Sequence, residues 1–282
     1  MTGHGFIAPE YIKPEERLFG ASVFKEINPS GNWEEYMLRQ EQQRKRIETY
    51  ACTAFGTTSQ IEALLNFRYG LKTEWSPRAL GIIAGISPPG ANPHTILDHA
   101  RKEGLLEDVY LQFDESIETV EEYYSPKPLP HHLEKRMNSF VKIYQLWHEW
   151  TFTPFYSAKE KTANILKALR SSPVGVSVYS SGLDATGYFH KNEGDRDDHW
   201  TVIKRADVIR RRFIVFDSYE GEKELPFDYP FEFAKTISVE LLGEVEVSVW
   251  EKIKDLFKTC RPSAVTRVGQ SRVEAVQSIQ KG

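Results

Sequence analysis

The sequence has only two cysteines, Cys52 and Cys260, and its longest purely apolar runs are a few residues. Two cysteines cannot build the disulfide framework of a small secreted domain, and a membrane span needs about 20 apolar residues. The opening residues, MTGHGFIAPEY, contain neither a basic nor an apolar stretch typical of a secretory signal. We therefore expect a cytoplasmic protein with no membrane partner.

The sequence also lacks a large excess of either positive or negative charge. Lys and Arg total 36 and Asp and Glu total 40, giving a net charge of −4, so the whole chain is not a polycation for nucleic acid. The histidine pairs lack the helical spacing with Glu, or the cysteine partners, that zinc sites use. We expect no metal, no other cofactor and no nucleic-acid partner; the oligomeric state stays open. The pairs are His94 with His99 and His131 with His132.

What the chain does have is a 282-residue sequence that is 40% hydrophobic and 12% aromatic, enough for a sizeable core. Its character changes along its length, from helical periodicity to β-branched and aromatic strand-like runs. We predict an α+β protein with an extended segment over 1–45, a helical lobe over 46–170, a β lobe over 171–258 and a polar tail over 259–282.

Individual elements follow from the same patterns. A helix is expected to begin after Thr49 and end at Gly70, a residue type that favours the left-handed stop of a helix. Further helical patterns cover 94–105 and 133–150. The strand-like segments are 174–179, 200–203, 213–216, 236–241 and 245–250.

Cys52 is the first candidate functional residue. With Thr49 as the cap, it lies at about the third helical position, where unpaired backbone N–H groups and the helix dipole favour a thiolate. A thiolate is the form of cysteine that acts as a nucleophile. The plain alternative is a buried cysteine that fills a small gap in the core.

His199 and Asp217 are the second and third candidates, because they lie on two strand-like runs that read as one hairpin. If the connection is symmetric about residue 208, the two residues are directly opposite, with Cβ atoms about 5 Å apart. The carboxylate then orients the imidazole and stabilises its charged form. The plain alternative is a surface ion pair of no consequence.

At this point the sequence resembles the papain-like cysteine peptidases over about residues 40 to 225. His199 follows Cys52 by 147 residues, within the spacing typical of that family. The matching segments are Tyr50–Gly56 around the cysteine, Ser172–Val178 before the histidine, Asp198–His199, and Phe216–Gly221 in place of the family's Asn-Ser-Trp-Gly. The resemblance implies a helical lobe and a β lobe with a substrate cleft between them.

The resemblance also implies roles for these residues in peptide-bond hydrolysis through an acyl-enzyme. Cys52 is the expected nucleophile, His199 its base and Asp217 the residue that orients His199. The sequence departs from the family at three positions. Thr53 stands where the family usually has Trp, Asp217 where papain has Asn, and Tyr219 where the family has Trp.

Two binding residues are predicted on the same grounds. The sequence motif that carries the family's oxyanion-hole glutamine, a few residues before the cysteine, is missing here. Gln43 is instead expected to donate to the oxyanion together with the Cys52 backbone N–H, and Gln40 and Gln42 are alternative candidates. Gly90 lies where the family has a glycine-rich edge for the substrate backbone, and a glycine permits close approach of an extended peptide.

Two other functions stay open at this stage. The same three residues serve enzymes that transfer an acyl group to an amine, as in transglutaminase-like relatives. The departures at Thr53 and around Gln43 also fit a papain-like module that binds a partner or has a structural role without catalysis.

Overall fold

A computed structural model describes residues 5–13, 16, 18, 24–39, 41–180, 189–192, 196–219 and 223–242. The helices are α1 (Cys52–Tyr69), α2 (Pro77–Ile83), α3 (Pro93–Glu103), α4 (Val120–Tyr123), α5 (His131–Ile143) and α6 (Ala158–Ala168). The strands are β1 (Gly5–Phe6), β2 (Gly90–Ala91), β3 (Tyr144–Trp150), β4 (Val174–Val178), β5 (His199–Asp207), β6 (Arg212–Phe216), β7 (Lys223–Pro226) and β8 (Ala234–Leu241). The predicted α+β class is confirmed. The predicted strand at 245–250 and the tail at 259–282, with Cys260, lie outside the described residues.

Helix α1 is enclosed by protein on nearly all sides, since fourteen of its eighteen residues are buried. A helix surrounded in this way needs partners for its polar side chains. Gln60 finds one by donating from Nε2 to the Pro173 carbonyl over 2.9 Å. The helix ends as predicted at Gly70, whose φ of 64° is left-handed and whose N–H donates to the Asn66 carbonyl.

The β lobe is built on an antiparallel sheet with the strand order β3-β8-β4-β5-β6-β7. Strand β3 corrects the helix predicted over 133–150, because α5 ends at Ile143 and the chain then pairs with β8 from Tyr144 onward. Tyr144 and Leu146 are buried while Gln145 is exposed. This alternation is the two-residue period of a strand, and the partner strand is distant in sequence.

Trp200 joins α1 to the sheet. Its indole fits against Gly56 of α1 and Gly175 of β4, where added Cβ atoms would lie 2.7 Å and 2.6 Å from the ring. Side chains at these two glycines would hold the helix away from β5. The close approach brings His199, the neighbour of Trp200 in β5, to the first turn of α1. No helix among the described residues has both the length and the apolar character needed to cross a membrane.

Candidate active site

The segment before α1 determines where Cys52 lies. Ala51 is the N-cap and Cys52 the first helical residue, so the predicted cap at Thr49 and the predicted third position of Cys52 are wrong. Thr49 is buried instead, and within the described structure its hydroxyl has no hydrogen-bond partner. Tyr50, with a φ of 58°, turns the chain in the left-handed region. Cys52 still lies in the first turn, at the positive end of the helix dipole.

The Cys52 thiol is fully buried. The backbone N–H of Trp200 donates to its sulfur over 3.3 Å. Burial raises the pKa of the Cys52 thiol, and the interaction with His199 opposes that shift without overcoming it. Burial thus acts against the thiolate that the helix start is expected to favour, and the thiolate form of Cys52 stays a prediction.

His199 and Asp217 form a buried pair, with 2.6 Å between imidazole Nε2 and carboxylate Oδ1. They are not directly opposite: the ladder pairs Val202 with Phe216, so the position opposite His199 is displaced by two residues from Asp217. A bulge after Ile203 contributes to this offset. Because a shift of two residues keeps side chains on the same face, the pair still meets diagonally.

The charges of the pair support each other. Burial opposes ionisation of Asp217, but His199 and then Lys223 outweigh it and hold the pKa of the carboxyl below its ordinary value. Burial likewise disfavours the imidazolium, but Asp217 and then Cys52 outweigh it and raise the pKa of His199. Nε2 therefore carries a proton towards the carboxylate. Nδ1 has no hydrogen-bond partner among the described residues, so it is the ring nitrogen available to the thiol.

Comparison with known proteins gives a consistent fold. Xylellain, a cysteine protease from Xylella fastidiosa, matches with a TM-score of 0.58 at 14% identity over 87% of this chain and 97% of that chain. Procathepsin L2 from the larval midgut of Tenebrio molitor gives 0.58 at 12% identity over 84% and 78%. Bromelain from Ananas comosus, in complex with the E64 inhibitor, gives 0.50 at 10% identity over 74% and 98%. The chain has a papain-like fold. In sequence, no family model and no curated protein matches.

Gln43 lies next to Ser218, the residue after Asp217, and is engaged in a network of its own. Its side-chain Nε2 donates to Glu48 over 2.6 Å and to the Tyr219 hydroxyl over 3.1 Å. Its Oε1 accepts from the Ser218 hydroxyl over 2.6 Å. Both amide hydrogens are thus already donated. Gln42 lines a separate cavity of about 310 Å³.

The role of Gln43 in an oxyanion hole stays a prediction. The rival Gln40 lies outside the described residues.

Gly90 contacts an extended backbone, and that backbone is the chain's own N-terminal segment. Strand β1, Gly5–Phe6, pairs in parallel with β2, Gly90–Ala91. A Cβ on Gly90 would lie 2.0 Å from the Gly5 carbonyl oxygen, so glycine is required for this approach. A contact between Gly90 and substrate stays a prediction.

Strand β1 also packs in the buried cluster that contains Cys52. Phe6 is buried in the same cluster as Cys52, Trp150, Trp200 and Phe233. Its ring stacks on Trp200 with centroids 5.6 Å apart. The Phe6 N–H points to the Asp198 carbonyl at 3.4 Å, directly before His199. The segment predicted only as extended chain therefore contributes to the burial of Cys52.

Sequence reasoning missed three residues at this site: Phe6, Glu48 and Lys223. Glu48 accepts from Gln43 and from the Tyr219 hydroxyl, the latter over 2.7 Å. Lys223 lies 3.2 Å from Asp217. For Lys223, the available signal is a lysine in a strand position six residues after the candidate Asp217. Phe6 and Glu48 reach the site through contacts between distant segments, which no local sequence pattern reveals.

Proposed function

We propose that this chain is a cysteine-type peptidase that hydrolyses peptide bonds through Cys52, His199 and Asp217. The observation that carries the proposal is the buried His199–Asp217 pair beside the Cys52 thiol, with imidazole Nδ1 left without another partner. A buried pair of this kind is costly unless it is well bonded. Its location next to a thiol at a helix start fits a general base prepared for a nucleophile.

In the proposed reaction, His199 Nδ1 takes the thiol proton as the Cys52 sulfur attacks the substrate carbonyl carbon. The C–N bond of the tetrahedral intermediate breaks, and His199 returns the proton to the leaving amine. Water then attacks the thioester with His199 as base, which releases the acid and restores the thiol. Asp217 accepts from Nε2–H throughout and stabilises the imidazolium.

Two further parts of the proposal concern access and oxyanion binding. Substrate reaches Cys52 only when β1 leaves the strand position beside Gly90, so the described state is a covered one. The Cys52 backbone N–H and the Gln43 amide are proposed to donate to the oxyanion. For this, Gln43 exchanges one of its present acceptors, Glu48 or Tyr219, for the substrate oxygen.

The test compares four full-length proteins on a panel of fluorogenic peptides: wild type, Cys52→Ala, Phe6→Ala and Cys260→Ala. We expect Cys52→Ala to lose at least about 1000-fold in kcat/KM. Phe6→Ala should raise turnover because it weakens the cover, and Cys260→Ala, the matched control, should leave it unchanged. Undiminished turnover in a folded Cys52→Ala variant would contradict the proposal.

One observation favours a second candidate, a non-catalytic papain-like module. Cys52 is fully covered and both Gln43 amide hydrogens are in use, as expected of a site that no longer turns over. Its signature is that neither wild type nor Phe6→Ala cleaves peptides or reacts with an epoxide thiol trap. If added amine rather than water takes the acyl group, product analysis identifies acyl transfer instead. The peptidase proposal includes the cytoplasmic location that the sequence predicts.

A further inference from the structure

A buried lysine lies behind the proposed triad. Lys223 is the first residue of β7 and is opposite Val215 of β6, two residues before Asp217. Its side chain is 3% exposed, and its Nζ lies 3.2 Å from Asp217 Oδ2. The same ammonium donates to the Tyr219 carbonyl over 3.2 Å. A lysine is seldom this deeply buried without a paired charge.

The two oxygens of Asp217 have different partners. Oδ1 accepts from His199, and Oδ2 faces Lys223. Each carboxylate oxygen therefore has a basic group beside it, an arrangement that favours one orientation of the carboxylate towards the imidazole.

The buried charges can be counted. Lys223 and Asp217 neutralise each other, so the ion pair that forms when a proton moves from Cys52 to His199 has no uncompensated charge beside it. Without Lys223, the negative charge of Asp217 acts on His199 undiminished and raises the pKa of the imidazole further, which favours its protonated form. A protonated imidazole cannot accept the proton of the thiol.

We propose that Lys223 is a positioning residue that neutralises and orients Asp217, so that His199 is free to exchange a proton with Cys52. The proposal deepens the peptidase function and rests on it. Lys223 does not touch substrate; it acts through Asp217.

Other charged or titratable groups face this cluster. Cys52 faces His199 from α1, and Glu48, from the segment before α1, lowers the tendency of Cys52 to ionise. Tyr219 lies 4.9 Å from the imidazole, ring to ring, and donates its hydroxyl to Glu48. Glu48 and Tyr219 contribute no positive charge. Among these neighbours, Lys223 is the cation that acts on Asp217.

The test replaces Lys223 in the full chain and measures the pH dependence of two quantities. One is the rate of Cys52 alkylation by iodoacetamide, read by mass spectrometry; the other is the NMR titration of the His199 ring. Removing a positive charge raises the pKa of each nearby group, so in Lys223→Met both transitions should move up by roughly one pH unit. Lys223→Arg should restore the wild-type transitions.

Two further variants separate charge from structure. Lys223→Gln keeps an N–H donor without the charge and should shift the transitions as Met does, which keeps the test available if Met fails to fold. Lys204→Met is the matched control, because Lys204 is an ion-paired lysine of the same sheet, 2.8 Å from Glu34. It should leave both transitions in place.

Unmoved transitions in folded Lys223→Gln or Lys223→Met would overturn the proposal. The titration of His199 needs no turnover, so the outcome does not depend on peptide cleavage. If wild type cleaves nothing but Lys223→Gln still shifts His199, the peptidase function fails, whereas the electrostatic effect of Lys223 on His199 stands.

Discussion

Asp217 and Glu62 are both fully buried carboxyls, and their neighbours push them in opposite directions. Burial opposes ionisation of Asp217, but His199 and Lys223 outweigh it, so its pKa is lowered. Burial also opposes ionisation of Glu62; its one strong donor is the Trp75 N–H, and other carboxyls add to the shift, so its pKa is raised well above the ordinary value. Burial alone therefore does not decide the charge of a side chain.

The neighbours of Glu62 form an acid cluster, which we define as Glu41, Glu62, Glu74 and Asp108. All four line a cavity of about 310 Å³ beside α1. Burial raises the pKa of Glu41 to about 8 and of Asp108 to about 6. Glu41, Glu62 and Asp108 therefore hold protons that the unfolded chain releases, so they lower the free energy of unfolding as pH rises from about 5 to 8. Asp217 has the opposite effect on the pH dependence of stability. Because its pKa is lowered in the folded chain, its contribution to the free energy of unfolding is lost as pH falls.

The largest effect on the free energy of unfolding is expected when the buried ion pair of Asp217 and Lys223 is broken. Asp217→Asn removes the carboxylate that lies 3.2 Å from the buried Lys223 ammonium, which should cost about 3–5 kcal/mol of the free energy of unfolding at pH 7. Urea unfolding followed by tryptophan fluorescence measures it. Asp217→Asn combined with Lys223→Met should recover part of the loss, since both charges are then gone. A loss under about 1 kcal/mol in the single variant would contradict the compensated-charge account.

A smaller effect of opposite sign is expected in the acid cluster. Glu62→Gln keeps an oxygen to accept from the Trp75 N–H, now 2.7 Å from Glu62 Oε1, and removes the titrating group. We expect a gain of about 1–2 kcal/mol at pH 8 and little change at pH 5. Glu118→Gln is the control, because Glu118 is a 67% exposed member of a surface pair. Destabilisation of Glu62→Gln at pH 8 would show that Glu62 is a needed anion.

The smallest effect is expected at Asp108, which is less shifted and accepts from Gln112 over 3.3 Å. Asp108→Asn should gain under about 1 kcal/mol at pH 8 and nothing at pH 5. Urea unfolding curves of Asp108→Asn and Glu62→Gln, measured side by side at the two pH values, show which variant gains more free energy of unfolding. A larger gain at Asp108 than at Glu62 would reverse the order that burial predicts.

Sequence patterns predicted the parts of the fold that depend on local rules. Gly70 ended α1 as its left-handed preference requires, and β4, β5 and β6 followed runs of β-branched and aromatic residues. The His199–Asp217 bond was predicted from a wrong register, because an error of two residues preserves the face of a strand. An error of one residue would have hidden the pair.

The rest depended on contacts between residues far apart in sequence. The residues of β3 read as a continuation of α5 until their pairing with β8 is known. The parallel pairing of Gly5 with Gly90, and the placement of Phe6 over Cys52, join segments about 50 to 85 residues apart. Charge compensation at Asp217 likewise needs three strands to be in place, and the N-terminal segment contributes to the burial that raises the pKa of the Cys52 thiol.

The most direct test of the central claim, that Cys52 and His199 form a working pair beneath Phe6, is the rate of Cys52 alkylation by iodoacetamide at pH 6. At this pH an ordinary thiol is less than about 1% ionised, and Cys260 in the same molecule serves as the internal reference. We predict that Phe6→Ala labels Cys52 at least about tenfold faster than Cys260, and that adding His199→Gln removes the difference. Equal labelling of the two cysteines in folded Phe6→Ala, or a rate that His199→Gln leaves unchanged, would contradict the account.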